Sequence, residues 1–144
     1  KQKYKKHNLK DVKKFIIEKK KSKNEFLYGI YIKKNKEHIG NIKLGPINWV
    51  HRKADISLFI GDRQAWGNGY ATEAISLLSA WSFQQLDLFK LNAGIYHGNN
   101  ASRRAFEKNG FLLEGTLRNE CFCDGQRIDV WLMGLTRDDQ VINN

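Results

Sequence analysis

The sequence predicts an α/β fold, an α+β mixed sheet with helices packed on it. Three observations carry this: hydrophobic periodicity switches between two and about 3.6 residues along the chain, turn residues separate the periodic runs, and the second half alternates strand with helix. From the N-terminus, Asn8 and Asp11 fit a helix cap ahead of Leu9, Val12, Phe15 and Ile16 at helical spacing, so a helix is expected over residues 9–20. Residues 26–33 and 38–44 are rich in aromatic and β-branched side chains on either side of Lys34-Asn35-Lys36-Glu37. This is a hairpin pattern, with Gly45-Pro46 expected to end its second strand. Ala54, Ile56, Leu58 and Ile60 then alternate with Asp55, Ser57 and Phe59, as in a half-buried strand. After a glycine-bearing turn, Ala71, Ala74, Ile75, Leu78 and Trp81 form the stripe of an amphipathic helix ending near Leu86. A strand over 91–97, a helix over 99–109 stopped at Gly110, and strands over 111–117 and 127–135 about an Asp124-Gly125 turn complete the order.

A chain of 144 residues with 41% hydrophobic side chains buries one core rather than two. No apolar run approaches the ~18 residues of a membrane span, and no secretory signal pattern opens the chain. The only two cysteines, Cys121 and Cys123, stand too close for a disulfide framework and are too few for a metal site, which points to a reducing, cytoplasmic compartment and no metal. The net charge of +10 is local: residues 1–24 hold eleven lysines against Asp11 and Glu18, while the other 120 residues hold 14 basic and 13 acidic side chains. A lysine-rich solvated helix face accounts for that bias better than a nucleic-acid surface, because the clustered aromatics and arginines of a base-reading surface are not evident.

Chemistry concentrates in Gln64-Ala65-Trp66-Gly67-Asn68-Gly69-Tyr70-Ala71, between an expected strand and an expected helix. Two glycines let the backbone turn tightly and present successive amide N–H groups. The helix that follows adds unsatisfied donors and the positive end of its dipole, so the loop suits a phosphate or pyrophosphate. It is not the dinucleotide fingerprint, which needs a third glycine and a later acidic residue.

A second block, Asn99, Ser102, Phe106, Glu107, Lys108, Asn109, Gly110 and Phe111, follows the next strand. Together the two blocks resemble the GNAT superfamily of N-acetyltransferases. Ala71-Thr72-Glu73-Ala74, Glu114-Gly115-Thr116-Leu117-Arg118, Asp124-Gly125 and Asp129 resemble its branch of ribosomal-protein N-terminal acetyltransferases and small-molecule acetyltransferases. The resemblance covers residues 26–135 and implies one GNAT domain over 1–144, lacking the strand and helix with which the family usually opens.

It implies acetyl-CoA as co-substrate, its pantetheine arm lying between two parallel strands that splay apart and pairing with the backbone of Phe59, Ile60 and Gly61. Gln64, Trp66, Gly67, Asn68, Gly69, Tyr70, Ala71 and Thr72 would hold the pyrophosphate. Asn99 and Phe106 would flank the arm near the sulfur, and Lys108 would meet a CoA phosphate. Many members use a tyrosine as the acid where Phe106 stands; the resembling branch uses the serine of the second block, here Ser102. The related glutamate base maps next to Glu120, which serves only if its strand is irregular there. Asp55, His51 and a water chain are alternatives.

The expected reaction is acetyl transfer to a primary amine by direct attack in a ternary complex, by a monomer or homodimer. Amino sugars and protein N-termini lead as acceptors. Polyamines and aminoglycosides follow, since no strongly acidic lining is evident. A CoA-binding regulatory domain without turnover and a basic nucleic-acid-binding module are the rival readings.

Overall fold

The computed structural model describes residues 24–61, 67 and 69–140, together with the backbone of residues 12–16. The strands are β1 (Val12–Ile16), β2 (Phe26–Ile32), β3 (His38–Asn48), β4 (Lys53–Ile60), β5 (Lys90–Tyr96), β6 (Leu112–Cys123) and β7 (Gln126–Thr136); the helices are α1 (Tyr70–Gln85) and α2 (Asn100–Lys108). They build one mixed sheet in the order β1-β2-β3-β4-β5-β7-β6, in which every neighbouring pair is antiparallel except β4 and β5. No helix among the described residues is long and apolar enough to cross a membrane.

Two expectations are corrected. Over Val12–Ile16 the expected helix is a strand, with Val12 opposite Ile32 and Ile16 opposite Tyr28. The spacing of Val12, Phe15 and Ile16 fits a helix, but these are also strand-forming residues, and pairing satisfies the backbone groups on the outer edge of β2. The remainder of that helix, with its Asn8 and Asp11 cap, lies outside the described residues. Nor does Gly45-Pro46 end the second hairpin strand: β3 continues to Asn48. The Gly45–Pro46 bond is cis, and the register with β4 shifts between Leu44 and Ile47, so the proline sits in a bulge where its missing N–H breaks no regular ladder.

Alternation sorts the side chains. Ile42 and Leu44 of β3, Ala54 and Ile56 of β4, Leu91 and Ala93 of β5, and Met133 and Leu135 of β7 are buried against the Ala74, Ile75, Leu78 and Trp81 stripe of α1. Trp81 meets the rings of Phe26 and Tyr28 edge-on, with centroids 5.4 and 6.0 Å away. Each such large apolar side chain contributes about 1.5–3 kcal/mol by leaving water. The Asp124-Gly125 turn takes φ of 48° and 77°, the left-handed pair that a tight β6–β7 hairpin requires.

The base of the β4–β5 pair is held by a polar knot. The carbonyl of Arg52 accepts the amides of Phe89 (2.7 Å) and Lys90 (3.2 Å). The Arg137 guanidinium donates to the carbonyls of Phe83 (3.0 Å) and Leu88 (2.8 Å) and to Asp87 Oδ1 (2.8 Å), tying the end of α1 to the end of β7. Arg52 reaches the other Asp87 oxygen at 3.4 Å. The hydrogen bond from Arg137, with Arg52 beside it, holds the Asp87 carboxyl below its ordinary value.

Arg137→Ala removes the donor from two partly buried carbonyls and is expected to lower the unfolding free energy by on the order of 2 kcal/mol, read from urea denaturation. Because the Asp87 carboxyl titrates lower in the folded chain, its contribution is complete above the unfolded value near ~3.9 and fades as pH falls through the folded value. The melting-temperature gap between wild type and Asp87→Asn is therefore widest at neutral pH and closes in acid. A gap independent of pH would count against the linkage.

Candidate active site

β4 and β5 pair only through Lys53–Lys90, Ala54–Leu91 and Asp55–Asn92. Beyond that point β4 stays with β3, Leu58 opposite Ile42 and Ile60 opposite Gly40, while β5 stays with β7, Ile95 opposite Trp131. The sheet therefore opens toward the C-terminal ends of its two parallel strands. Gly40 permits the close approach on the β3 side, since a Cβ there would collide with the carbonyl oxygen of Phe59.

The β4–α1 connection ends at this opening. Gly67 and Gly69 have φ of 83° and 81°, and a Cβ on either would meet nothing within 4 Å, so glycine is required there by backbone conformation while the space in front stays clear. Gly69 occupies the cap position of α1 and supplies no side-chain acceptor; its carbonyl takes the Glu73 amide at 3.0 Å. Among the described residues the amides of Tyr70, Ala71 and Thr72 have no acceptor, the condition in which a helix start binds an anion.

α2 starts differently. Its cap, Asn99, accepts the Ser102 amide on its side-chain oxygen at 3.2 Å, so this N-terminus is closed on itself. At the other end, the Asn109 side chain donates to the carbonyls of Ala105 and Thr72, both at 3.0 Å, and clamps the end of α2 to the first turn of α1.

Between these elements lies a cleft of about 470 Å³. It brings together Phe59, Ile60, Gly67, Gly69, Tyr70, Ala71 and Thr72 with Asn99, Ser102 and Lys108, all candidates from the sequence. Leu58, Ala101, Arg104 and Ala105 also line it and were not singled out. Positions 101, 104, 105 and 108 follow the i, i+3, i+4, i+7 rule, so the helical face of Lys108 was the signal that would have found three of them. Among the described lining residues there is no carboxylate and there are two cations, Arg104 and Lys108, so the cleft suits an anionic ligand.

The other candidates lie elsewhere. Phe106 is 2% exposed and meets the Phe111 ring edge-on at 4.9 Å; it packs in the core rather than lining the cleft. Gly61 continues the ladder to β3 through the Ile39 carbonyl at 3.0 Å. Gln64, Trp66 and Asn68 lie outside the described residues. Glu120 is exposed on β6, whose register with β7 shifts between Leu117 and Cys121, and Asn119 beside it has a φ of 52°. The strand is thus irregular at that point. The Asn119 amide donates to Asp129 Oδ1, and the Asp129 carbonyl takes the His97 amide, so Glu120 sits at the end of the sheet where the cleft opens. Asp55 occupies the last paired position, facing away from α1; burial raises its pKa, opposed by Lys53 and Lys43. His51 lies in the turn entering β4, at the opposite end from the cleft.

Residues 2–112 match the family described as the acetyltransferase (GNAT) domain. The chain is 35% identical over 102 residues to the uncharacterized N-acetyltransferase YoaA of Bacillus subtilis (strain 168), covering 71% of this chain and 57% of that protein. It is 36% identical over 90 residues to spermidine N(1)-acetyltransferase of Escherichia coli (strain K12), covering 62% of this chain and 48% of that protein. The chain thus spans about half to three-fifths of the length of these curated relatives. The crystal structure of spermidine N-acetyltransferase from Vibrio cholerae in complex with CoA and spermine matches with a TM-score of 0.75 at 28% identity, over 81% of this chain and 68% of that one. With the splayed parallel pair, the open helix start and a family match over most of its length, the chain belongs to the GNAT acetyltransferase family.

Proposed function

We propose that the protein transfers the acetyl group of acetyl-CoA to a primary amine. One observation carries this reading: a cleft without described carboxylates joins the gap between β4 and β5 to amides at the start of α1 that meet no acceptor among the described residues. The pyrophosphate would rest on the Tyr70, Ala71 and Thr72 amides and the arm would run past Leu58–Ile60 and Asn99. The thioester would then stand in the gap, its carbonyl polarised by backbone N–H groups of β4 that face β5. A relative solved with CoA supports the same co-substrate.

In the proposed reaction the amine nitrogen attacks the thioester carbon, the C–S bond breaks, the amine loses a proton and the departing thiolate gains one. Ser102 lines the cleft, and its hydroxyl makes no hydrogen bond among the described residues, so it is the side chain we assign to protonate the thiolate. Glu120 is assigned the amine proton, relayed through water because its carboxylate does not line the cleft. The acceptor would enter from the sheet face opposite α1. There Asp55 is flanked by Lys43 and Lys53, and Glu114 is held by Lys90 at 2.8 Å, a balance that suits one ammonium group better than a polycation. This favours an amino sugar, another small monoamine or a protein N-terminus, the last in keeping with the Glu114-Gly115-Thr116 run of the ribosomal-protein branch. Spermidine belongs in the same panel because relatives bear its name.

Incubation with acetyl-CoA and such a panel is expected to release CoA thiol with at least one monoamine and more slowly with spermidine. Binding of acetyl-CoA with no release from any amine would favour a regulatory domain. Gly69→Glu, which puts a carboxylate where the phosphate is expected, should weaken acetyl-CoA at least about tenfold by calorimetry in a natively folded variant. Ser102→Ala should cut kcat at least about tenfold while leaving acetyl-CoA affinity nearly unchanged, a modest loss for proton transfer because water can substitute. Glu120→Gln should lower kcat/KM at neutral pH, with the deficit shrinking as pH rises toward the pKa of the amine.

A further inference from the structure

The two strands that splay apart carry matched side chains on the sheet face opposite α1. Asp55 and Asn92 form their last pair, so Ser57 and Gly94 stand level with each other on the next step of that face, and Phe59 and Tyr96 on the step after. Leu58, Ile60 and Ile95 pack on the core side, which turns the Phe59 and Tyr96 rings to the other face. There the two residues are 66% and 53% exposed, a large apolar area to leave in water at the mouth of a site. Gly61 accounts for how the first ring lies. A Cβ on Gly61 would stand 2.9 Å from Phe59 Cε2 and 3.3 Å from Cζ, so the ring lies along its own strand, over the glycine. Gly61 is not among the glycines of positive φ, so it serves here by the room it leaves rather than by its backbone conformation.

The acceptor side of the gap is therefore graded: aromatic at its mouth, small in the middle at Ser57 and Gly94, and polar at its closed end, where Asp55 and Asn92 stand. Among the described residues the side chains of Ser57 and Asn92 make no hydrogen bond. Resting on the acetyl-transfer reading above, we propose that Phe59 and Tyr96 are specificity residues that stack on the pyranose ring of an amino sugar. A pyranose has a face of C–H groups, whose slight positive charge suits the negative face of an aromatic ring, and a rim of hydroxyls that Ser57 and Asn92 can bond. The small residues in the middle leave the amine room to reach the thioester in the gap. Other acceptors use less of this arrangement. An extended protein N-terminus or an acyclic amine offers neither ring a flat face, and an arylamine leaves the polar end without partners.

The test measures CoA thiol release from acetyl-CoA with a set of methyl aminodeoxyglucopyranosides that differ in which carbon bears the amine, and with the acyclic aminodiol serinol, phenethylamine and an alanyl peptide. At least one amino sugar should exceed all of the other amines in kcat/KM by about tenfold or more, the scale of an aromatic contact together with a hydrogen bond. Tyr96→Ala should lower that kcat/KM at least about fivefold, mostly through KM, while keeping serinol turnover and acetyl-CoA affinity within about twofold of wild type. Tyr96→Phe should retain the wild-type value, because the ring and not the hydroxyl is used. Phe59→Ala should lower the ratio of sugar to serinol in the same way, and Gly61→Ala, which displaces the Phe59 ring without removing it, should lower it by less. Serinol, phenethylamine or the peptide matching the best amino sugar would overturn the inference. So would a Tyr96→Ala variant that slows every acceptor alike, since the ring would then support the strand rather than the sugar, or unaltered sugar kinetics in both alanine variants. Each of these leaves the acetyl-transfer reading intact. Absence of thiol release with every amine would overturn that reading and this inference with it.

Discussion

The parallel contact between β4 and β5 lasts for three residue pairs, from Lys53–Lys90 to Asp55–Asn92, and it joins the two halves of the sheet. So short a ladder is reinforced at its base by groups outside it. Arg52 takes the amides that lead into β5, while Arg137 gathers the end of α1 and the loop after it. Asp87 stands between the two guanidinium groups as their common counter-charge. Because the bonding is concentrated at one end, the other end of the pair can diverge without leaving a strand unsupported: β4 keeps β3 as partner and β5 keeps β7. The gap is thus a product of where the hydrogen bonds are placed rather than of a missing side chain.

Once the gap exists, the two helices divide the remaining work. Among the described residues α1 begins with donors that meet no acceptor, since Gly69 has no side chain to cap them, and α2 begins with a donor closed by Asn99. Open amides therefore stand at one place along the cleft, and full positive charges stand at another, on the face of α2 that carries Arg104 and Lys108. Asn109 spans the helices and sets the distance between these groups, with both of its amide protons used on backbone carbonyls. The cleft thus draws its positive character from two sources, the backbone donors at the start of α1 and the side chains of Arg104 and Lys108.

Much of this was legible because the decisive signals are local. Gly67 and Gly69 announce left-handed turns, the spacing from Ala74 to Trp81 announces the buried face of α1, and Asp124-Gly125 announces the hairpin. What escaped depends on groups distant in sequence. Val12–Ile16 is a strand because β2 has an edge to fill, which the residues themselves cannot reveal. The bulge at Pro46 lets a residue that normally terminates a strand sit inside one. Phe106 stands at a motif position associated with the thioester, yet the ring of Phe111 and the surrounding core claim it. Arg104 was overlooked because the motif that drew attention to α2 names its neighbours and not the helical face they share.

β6 lies at the edge of the sheet, and Leu112, Leu113, Leu117 and Phe122 along it are substantially exposed. A straight edge of that composition would offer an uninterrupted template for strands of other molecules. The register breaks after Leu113 and again after Leu117, and in the second break Arg127 takes the carbonyls of Asn119 and Glu120 from within the same hairpin. These irregularities divide the edge into short segments, which offer a poorer template than a straight strand. The departure from regular strand geometry beside Glu120 thereby also interrupts the outer edge of the sheet, and straightening the hairpin would be expected to lengthen that template.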